Sequence, residues 1–448
     1  MLTVESFWRD LSKLHSSYTP ADTHYLLAYS GGLDSHVLLH LLVELKKLNH
    51  INHLSVVHIN HQLHADSSQW AAHCLQQCEQ YQLSCDVINV IVDKNSGLGL
   101  EAAARQARYS AFKTLVTDQT LLLTAQHADD QVETFLLQSL RGGGVKGLAA
   151  MPVIKSFANG YLSRPLLAVT QQAIVDYAKQ HNLSWVDDPS NSNINFDRNY
   201  LRQQVVPVLK KRWPSIHKTF SRVTQHQAEN KKLLVELAQM DLQQLDAVNN
   251  TLSISRLQTL SLHRKKNVLR YWLHNINELS MPDAMHLNRV LNEVMEAAVD
   301  SQPCVTWGDA IVRRYNDKLY ADKLAAEQLS QTENLIWTPE EQYSFGSKQL
   351  VTEKCEGQGL SVSQLQSKNV TIRFRQGGET CCPQGRGPHQ HKLKKLFQEW
   401  QVLPWQRNAV PLIYVDNILA QVVGYCLCEP FVAKPNELGY LIQCKGIE

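Results

Sequence analysis

The sequence predicts an α/β amino-terminal domain built on a doubly wound parallel sheet, followed by a small, mainly helical domain and a small α+β carboxy-terminal domain. Three observations carry that prediction. Short apolar runs alternate with stretches of helical periodicity from His24 to His181, the pattern of strands joined by crossover helices rather than by hairpins. A glycine-bearing turn, Ser30-Gly31-Gly32-Leu33-Asp34-Ser35, joins the first run to the first helix. Polar clusters also follow the second and fourth strands, and open α/β sheets bind ligands beyond the carboxyl ends of their strands.

The first strand, His24 to Tyr29, leads through the turn into a helix from Ser35 to Leu48, where leucine and valine recur at helical spacing. A strand from His53 to Asn60, a helix over about Ser67 to Leu83 and a strand from Cys85 to Val92 follow. A helix from Leu100 to Val116 precedes the strand Thr120 to Ala125, and another runs from about Asp129 to Leu140. Arg141-Gly142-Gly143-Gly144 holds more glycine than one left-handed cap needs, so it reads as a flexible loop over the crevice. Leu162 to Leu167 is then a short strand, Thr170 to His181 a helix capped by Thr170, and Trp185 to Asn191 a polar loop.

Beyond the sheet, Ile216 to about Val248 lacks Gly and Pro and reads as one long helix. A mostly helical region covers Leu252 to Leu324, with a strand pair around Asn316-Asp317. A linker rich in Glu and Gln precedes a strand-rich domain from about Asn334, whose one helix is the basic stretch Lys392 to Glu399. The implied limits are 1–215, 216–248, 249–330 and 334–448.

A chain of 448 residues exceeds one average core, and 44% hydrophobic with 19% charged residues is a globular composition. No run approaches the roughly 18 apolar residues of a membrane span, and Glu5, Arg9 and Asp10 are unlike a signal peptide, so a cytoplasmic protein without membrane contact is expected. The ten cysteines include no Cys-x-x-Cys, and Cys426-x-Cys428 has no partners at zinc-finger spacing. Reduced, packed thiols are expected, with no zinc or iron-sulfur site. The net charge of +2 hides two basic tracts: seven Lys or Arg and no acid from Arg198 to Arg222, and seven against two acids from Thr371 to Pro411. Separated basic tracts suit a long polyanion, although solvated helix faces look the same.

The turn itself carries chemistry. Gly31 and Gly32 let consecutive N–H groups close around an anion at a helix N-terminus. The Gly-x-x-x-x-Gly-Lys pattern is missing, and Asp34 would repel a phosphate unless a cation lay between them, which implies Mg²⁺. Asp130 and Glu133 are three apart at a helix start and project from one face, suited to capping, to a metal or to a cationic amine. Glu101, Arg105 and Arg108 form a charged stripe beside Tyr109, either a surface ladder or a phosphate contact.

Ser30 to Ser35 resembles the pyrophosphate loop of the N-type ATP pyrophosphatases, which share the adenine nucleotide alpha hydrolase-like fold and split ATP between its α and β phosphates. Further matches are Val57 to His61, Glu101 to Tyr109, Thr124 to Thr134, Arg164 to Leu167, Asp197 to Arg202, Arg375 to Glu379, Leu393 to Phe397, Pro404-Trp405 and Pro411-Leu412. Together they resemble the tRNA(Ile)-lysidine synthetase family over most of the chain. The resemblance implies a ligase that uses ATP and Mg²⁺ to adenylate C2 of the wobble cytidine in CAU-anticodon tRNA(Ile). L-lysine then replaces that oxygen, which switches reading from AUG to AUA.

By the same resemblance Ser30, Gly31, Gly32, Leu33, Asp34, Ser35 and His58 hold ATP, and Asp34 also orients the metal. Asp130 and Glu133 recognise lysine, with Arg105 and His127 among the catalytic groups. Arg108, Tyr109, Arg198 and Arg202 meet RNA or lysine, and Arg386, Lys392, Lys394 and Lys395 hold the tRNA body. Many family members pair two histidines where this chain has Gln126-His127, so only His127 receives a role. A homodimer is a possible assembly. The rivals are a tRNA 2-thiocytidine synthetase, which needs paired cysteines, an ammonia-using adenylase such as NAD synthetase, which leaves the basic tail unexplained, and a non-catalytic tRNA-binding protein.

Overall fold

The computed structural model describes residues 1–13, 22–93, 95, 97, 99–245, 251–298, 301–324, 335–346 and 348–446. Its contacts divide into two units, Met1–Glu236 and Leu237–Glu448. In the first, strands β1 (His24–Ala28), β2 (His53–Asn60), β3 (Cys85–Asn89), β4 (Thr120–Leu123), β5 (Ile154–Phe157) and β6 (Gly160–Ser163) form one sheet in the order β3-β2-β1-β4-β6-β5. All neighbours are parallel except β5, which runs antiparallel at the edge. The helices are α1 (Val4–Lys13), α2 (Leu33–Lys47), α3 (Ser67–Gln80), α4 (Leu100–Leu115), α5 (Ala128–Leu140), α6 (Val145–Leu148) and α7 (Gln171–Gln180).

Alternation along the strands builds the two faces. Tyr25 and Leu27 of β1, Tyr29 just after it, and Leu121 and Leu123 of β4 share a core with α1, α2, α3 and α7. Leu26 and Leu122 point the other way, to Phe112 and Val116 beside α4. The central strands are apolar on both sides, which is why they read as continuous apolar runs. Each fully buried leucine or valine in them contributes about 1.5–3 kcal/mol. The doubly wound parallel sheet expected from the sequence is present.

Two local expectations fail for identifiable reasons. The strand expected over Leu162 to Leu167 stops at Ser163, because Arg164 N–H donates to Val153 O (2.7 Å) and Leu167 N–H to Arg164 O (3.1 Å), turning the chain. Gly142 to Gly144 do not line the crevice. At Gly143 the backbone runs against α5, where a Cβ would stand 2.7 Å from the Gln138 carbonyl oxygen, so close approach demands glycine at that position, while Gly142 takes φ +70°.

Ile216–Gln244 is one helix; the expected continuation to Val248 lies outside the described residues, as do the Glu- and Gln-rich linker and Asn334. The second unit holds a four-stranded antiparallel sheet, Thr251–Ser253, Lys318–Lys323, Ala310–Tyr315 and Cys304–Trp307, that shares its core with Leu262–Tyr271 and Ala284–Arg289. Its strand pair turns at Asn316, where φ is +52°. Toward the carboxyl end, a five-stranded and a four-stranded sheet share a further core. The helix Leu393–Glu399 buries Leu393, Leu396 and Phe397 and exposes Lys394 and Lys395. Among the described residues no helix is long and apolar enough to cross a membrane.

Candidate active site

Strand order reverses at β1, which has β2 on one side and β4 on the other, and this is where open α/β sheets form their ligand crevice. The carboxyl ends of β1, β2 and β4 open there onto a cavity of about 890 Å³. Ser30, Gly32, Leu33, Asp34 and Ser35 form part of its wall. Gly31 has φ +82°, and a Cβ there would lie 3.0 Å from Cys74 Sγ. Ser35 Oγ donates to Gly32 O (3.0 Å) and accepts from Ser30 N–H (3.2 Å), and the two hydroxyls are 2.9 Å apart. The loop is thus closed on itself, with hydroxyls and the first amides of α2 gathered at a helix N-terminus. Val186 N–H donates to Gly31 O (3.0 Å), so the polar loop from Trp185 is pinned against it.

A Gly31→Ala change is expected to lose about 1–2 kcal/mol from the left-handed backbone alone, plus the cost of displacing Cys74. Thermal unfolding and ATP-dependent turnover should both fall. An unchanged melting temperature would show that the loop accepts a side chain.

Asp34 divides its two oxygens. Oδ2 lies 3.5 Å from His127 Nε2, whereas Oδ1 is buried and accepts no hydrogen bond. A buried carboxylate oxygen without a donor is costly unless a cation meets it. Beside a loop shaped for phosphate, a hard oxygen-seeking ion such as Mg²⁺ fits that orphaned atom.

His127 is 1% exposed and caps α5. Its Nδ1 accepts from Asp129 N–H (3.2 Å), which in the neutral ring leaves the proton on Nε2, 3.5 Å from both Asp34 Oδ2 and Asp130 Oδ2. Burial works against a charged ring, but the hydrogen bond to Asp34 and the charges of Asp130 and Asp34 outweigh it and raise its pKa. Asp129 faces elsewhere: its Oδ2 accepts from Gln171 N–H (3.0 Å) at the start of α7, and Lys210 pairs with Oδ1.

Asp130 and Glu133 do project together, but they are not free. Asp130 Oδ1 accepts from Arg198 and Arg202 (2.9 Å each), and Glu133 accepts from Arg198 Nε (2.8 Å) and from Arg202 Nε (2.6 Å) and NH2 (3.0 Å). Two carboxylates and two guanidiniums make a neutral quartet. Glu133 is 1% exposed and does not reach the crevice wall, whereas Asp130, Arg198 and Arg202 do. Both acids that the resemblance assigns to lysine are thus paired with arginine. Arg198 and Arg202 lie four residues apart where a short helix passes into a π turn, Leu201–Val205, a winding often found at functional positions.

Arg105 and Arg108 do not form the surface ladder that the stripe allowed. They gather on Tyr109, with guanidinium carbons 4.7 Å and 5.9 Å from its ring centre and Lys155 Nζ at 6.0 Å. Burial raises the Tyr109 phenol, but Arg105, Arg164 and Arg108 outweigh it and hold its pKa below the ordinary value. So many cations around one phenol form a positive wall suited to phosphate. Arg164, 2% exposed, was quoted in the sequence only as part of a motif; its burial could not be read there.

His58 Nδ1 hydrogen-bonds Tyr29 O (3.0 Å), which leaves Nε2 as the acceptor on a residue that lines the crevice. The sequence reading passed over His61. It lines the same wall with Nδ1 buried and unpartnered, and burial and Arg108 push its pKa down to about 4. Its place in the string Val57 to His61 was the available signal. Arg386, Lys392, Lys394 and Lys395 belong to the second unit; Arg386 pairs with Glu399 (2.5 Å), and the three lysines are exposed.

The loop at the strand-order reversal, and the orphaned carboxylate beside it, define an ATP-binding protein of the PP-loop class. Residues 4–209 accordingly match the PP-loop domain model. Residues 252–320 match the TilS substrate binding domain and 370–444 the TilS substrate C-terminal domain. The tRNA(Ile)-lysidine synthases of Coxiella burnetii, Serratia proteamaculans and Methylococcus capsulatus are 40%, 42% and 35% identical, over 94%, 91% and 96% of this chain and 93%, 92% and 98% of theirs. The chain belongs to the tRNA(Ile)-lysidine synthase family.

Proposed function

We propose that this chain is an ATP-dependent ligase that adenylates the C2 oxygen of the wobble cytidine in CAU-anticodon tRNA(Ile) and puts L-lysine in its place. One observation carries the reading: Asp34 of the loop and Asp130 of α5 meet the same ring nitrogen of His127 and line the same crevice. The phosphate side and the amine side of the reaction are thereby neighbours.

Cytidine O2 is a poor leaving group, and its attack on the α-phosphorus converts the later departure of oxide into departure of AMP. Ser30, Gly31, Gly32, Leu33 and Ser35 hold the phosphates, and His58 offers Nε2 to the nucleotide. Mg²⁺, when bound at Asp34, supplies charge neutralisation for the leaving pyrophosphate. Arg105 and Arg108 add positive charge there, and Tyr109 offers a ring face to the base drawn out of the anticodon stack.

Lysine enters beside the quartet. Asp130 is kept ionised, because His127, Arg198 and Arg202 outweigh its burial and lower its pKa. Such a carboxylate is suited to holding an ammonium and is a weak proton acceptor. Arg198 and Arg202 also line the crevice and match the α-carboxylate of an amino acid. Glu133, behind them, orients both guanidiniums. Among the described residues no cysteine lines the crevice, which favours lysine over sulfur transfer. Mass spectrometry of the product nucleoside tests the reading: cytidine plus lysine minus water is expected, with pyrophosphate released, and a thiolated or unmodified cytidine would reject it.

The exposed Lys392, Lys394 and Lys395, with Arg386, suit the phosphates of the tRNA body. Joint Lys392→Ala and Lys394→Ala replacement is expected to weaken tRNA binding and to flatten its salt dependence by up to roughly 0.9 in log–log slope per lost duplex phosphate contact. An unchanged slope would remove this tract from the interface.

A further inference from the structure

Three cysteines from distant parts of the sequence meet in the second unit. Cys381 ends the strand Thr380–Cys381, Cys426 begins the strand Cys426–Leu427, and Cys428 follows it. Their sulfurs all lie within 4.8 Å of one another, with Cys426 Sγ and Cys428 Sγ 4.0 Å apart. Cys381 and Cys428 are buried, at 3% and 0% exposure, and Cys426 is half-buried.

Main-chain contacts hold the three in place. Gln384 N–H donates to Leu427 O (2.9 Å) and Glu429 N–H to Cys382 O (2.8 Å), while Pro383 and Cys428 form a β-bridge. Cys382 is committed elsewhere, since its Sγ donates to Gly387 O (3.1 Å). Across the hairpin, the register partner of Cys381 is His391, whose ring nitrogens are not among the atoms grouped with the three sulfurs.

Apolar packing explains one buried thiol. It does not explain three at ligand spacing. Bonds of about 2.3 Å to a tetrahedral zinc ion set sulfurs about 3.8 Å apart, so a small closure completes the geometry. We infer that Cys381, Cys426 and Cys428 bind one thiophilic divalent cation of the zinc class through their three sulfurs. The site is structural: it ties the hairpin next to Arg386 and Lys392 to the strand at Cys426, and three thiols release protons as the ion enters. It is independent of the reading of the amino-terminal crevice.

The test uses the full chain, purified under reductant with zinc in the medium and without a histidine tag. Elemental analysis after gel filtration is expected to find about one zinc per chain. Titrating Co²⁺ into the chelated protein is expected to produce a near-ultraviolet thiolate charge-transfer band that zinc abolishes. Cys426→Ser, at the half-buried position, is expected to weaken zinc binding at least about tenfold. Cys304→Ser, on an exposed residue outside this cluster, should retain the ion. Because Cys381→Ser can itself disturb the core, the cobalt titration of the unaltered chain is decisive. No thiolate band, a disulfide within the trio in place of metal, or full zinc retention in Cys426→Ser would each overturn the inference.

Discussion

An Asp34→Asn enzyme is expected to release pyrophosphate at least about a hundredfold more slowly in the presence of ATP, lysine and tRNA. Its stability should stay within about 0.5 kcal/mol of the parent. The argument is local. Asp34 carries a buried oxygen with no donor, Oδ1, at the mouth of a phosphate loop, while Oδ2 faces His127. An amide keeps the shape but has no negative charge, so a cation binding at Oδ1 would lose its ligand and the raised pKa of His127 its largest support. The side chain is 36% exposed, so its neutralisation barely touches packing. Steady-state pyrophosphate release and a denaturation curve decide the matter together. Release near the parental rate would remove Asp34 from the chemistry.

Glu133→Ala is expected to cost about 3–5 kcal/mol of stability and to abolish lysidine formation. Removing one member of a buried ion group leaves its partners' charges uncompensated. Here two guanidiniums would lose their shared acceptor: Glu133 takes three of the five hydrogen bonds that Arg198 and Arg202 give to the acidic pair. Urea denaturation measures the loss, and a change below about 1 kcal/mol would class the quartet with surface pairs. The pH dependence follows from Asp130, whose folded pKa lies below its ordinary value of 3.8. Its contribution is complete above that ordinary value and is lost as pH falls through the lowered one. The stability gap between the parent and Asp130→Asn should therefore hold at neutral pH and close only in strong acid.

The phosphate loop was legible because its signals are local: two glycines, two serines and an aspartate between an apolar strand and a helix. The quartet was legible only in halves. Asp130 and Glu133 at three-residue spacing and Arg198 and Arg202 at four-residue spacing each mark one helical face. That these faces meet across 65 or more residues is a tertiary fact. Gly143 misled, because glycine required for close approach to Gln138 looks the same in sequence as glycine required for mobility. The meeting of the cysteines was not legible: Cys426-x-Cys428 has no partner at any familiar spacing, and Cys381 comes to it through the pairing around Pro383.

The sequence by itself determined the parallel sheet, the loop at the end of its first strand and the family to which the chain belongs. Apolar periodicity and glycine placement act within a few residues and survive any arrangement of the rest. Only the tertiary structure decided which charges are spent on each other and which face the crevice. Glu133 proved to be committed to Arg198 and Arg202, and Asp34 Oδ1 to be without a donor. Electrostatic pairing depends on distances of a few ångströms between segments far apart in the chain, and sequence spacing does not encode those distances.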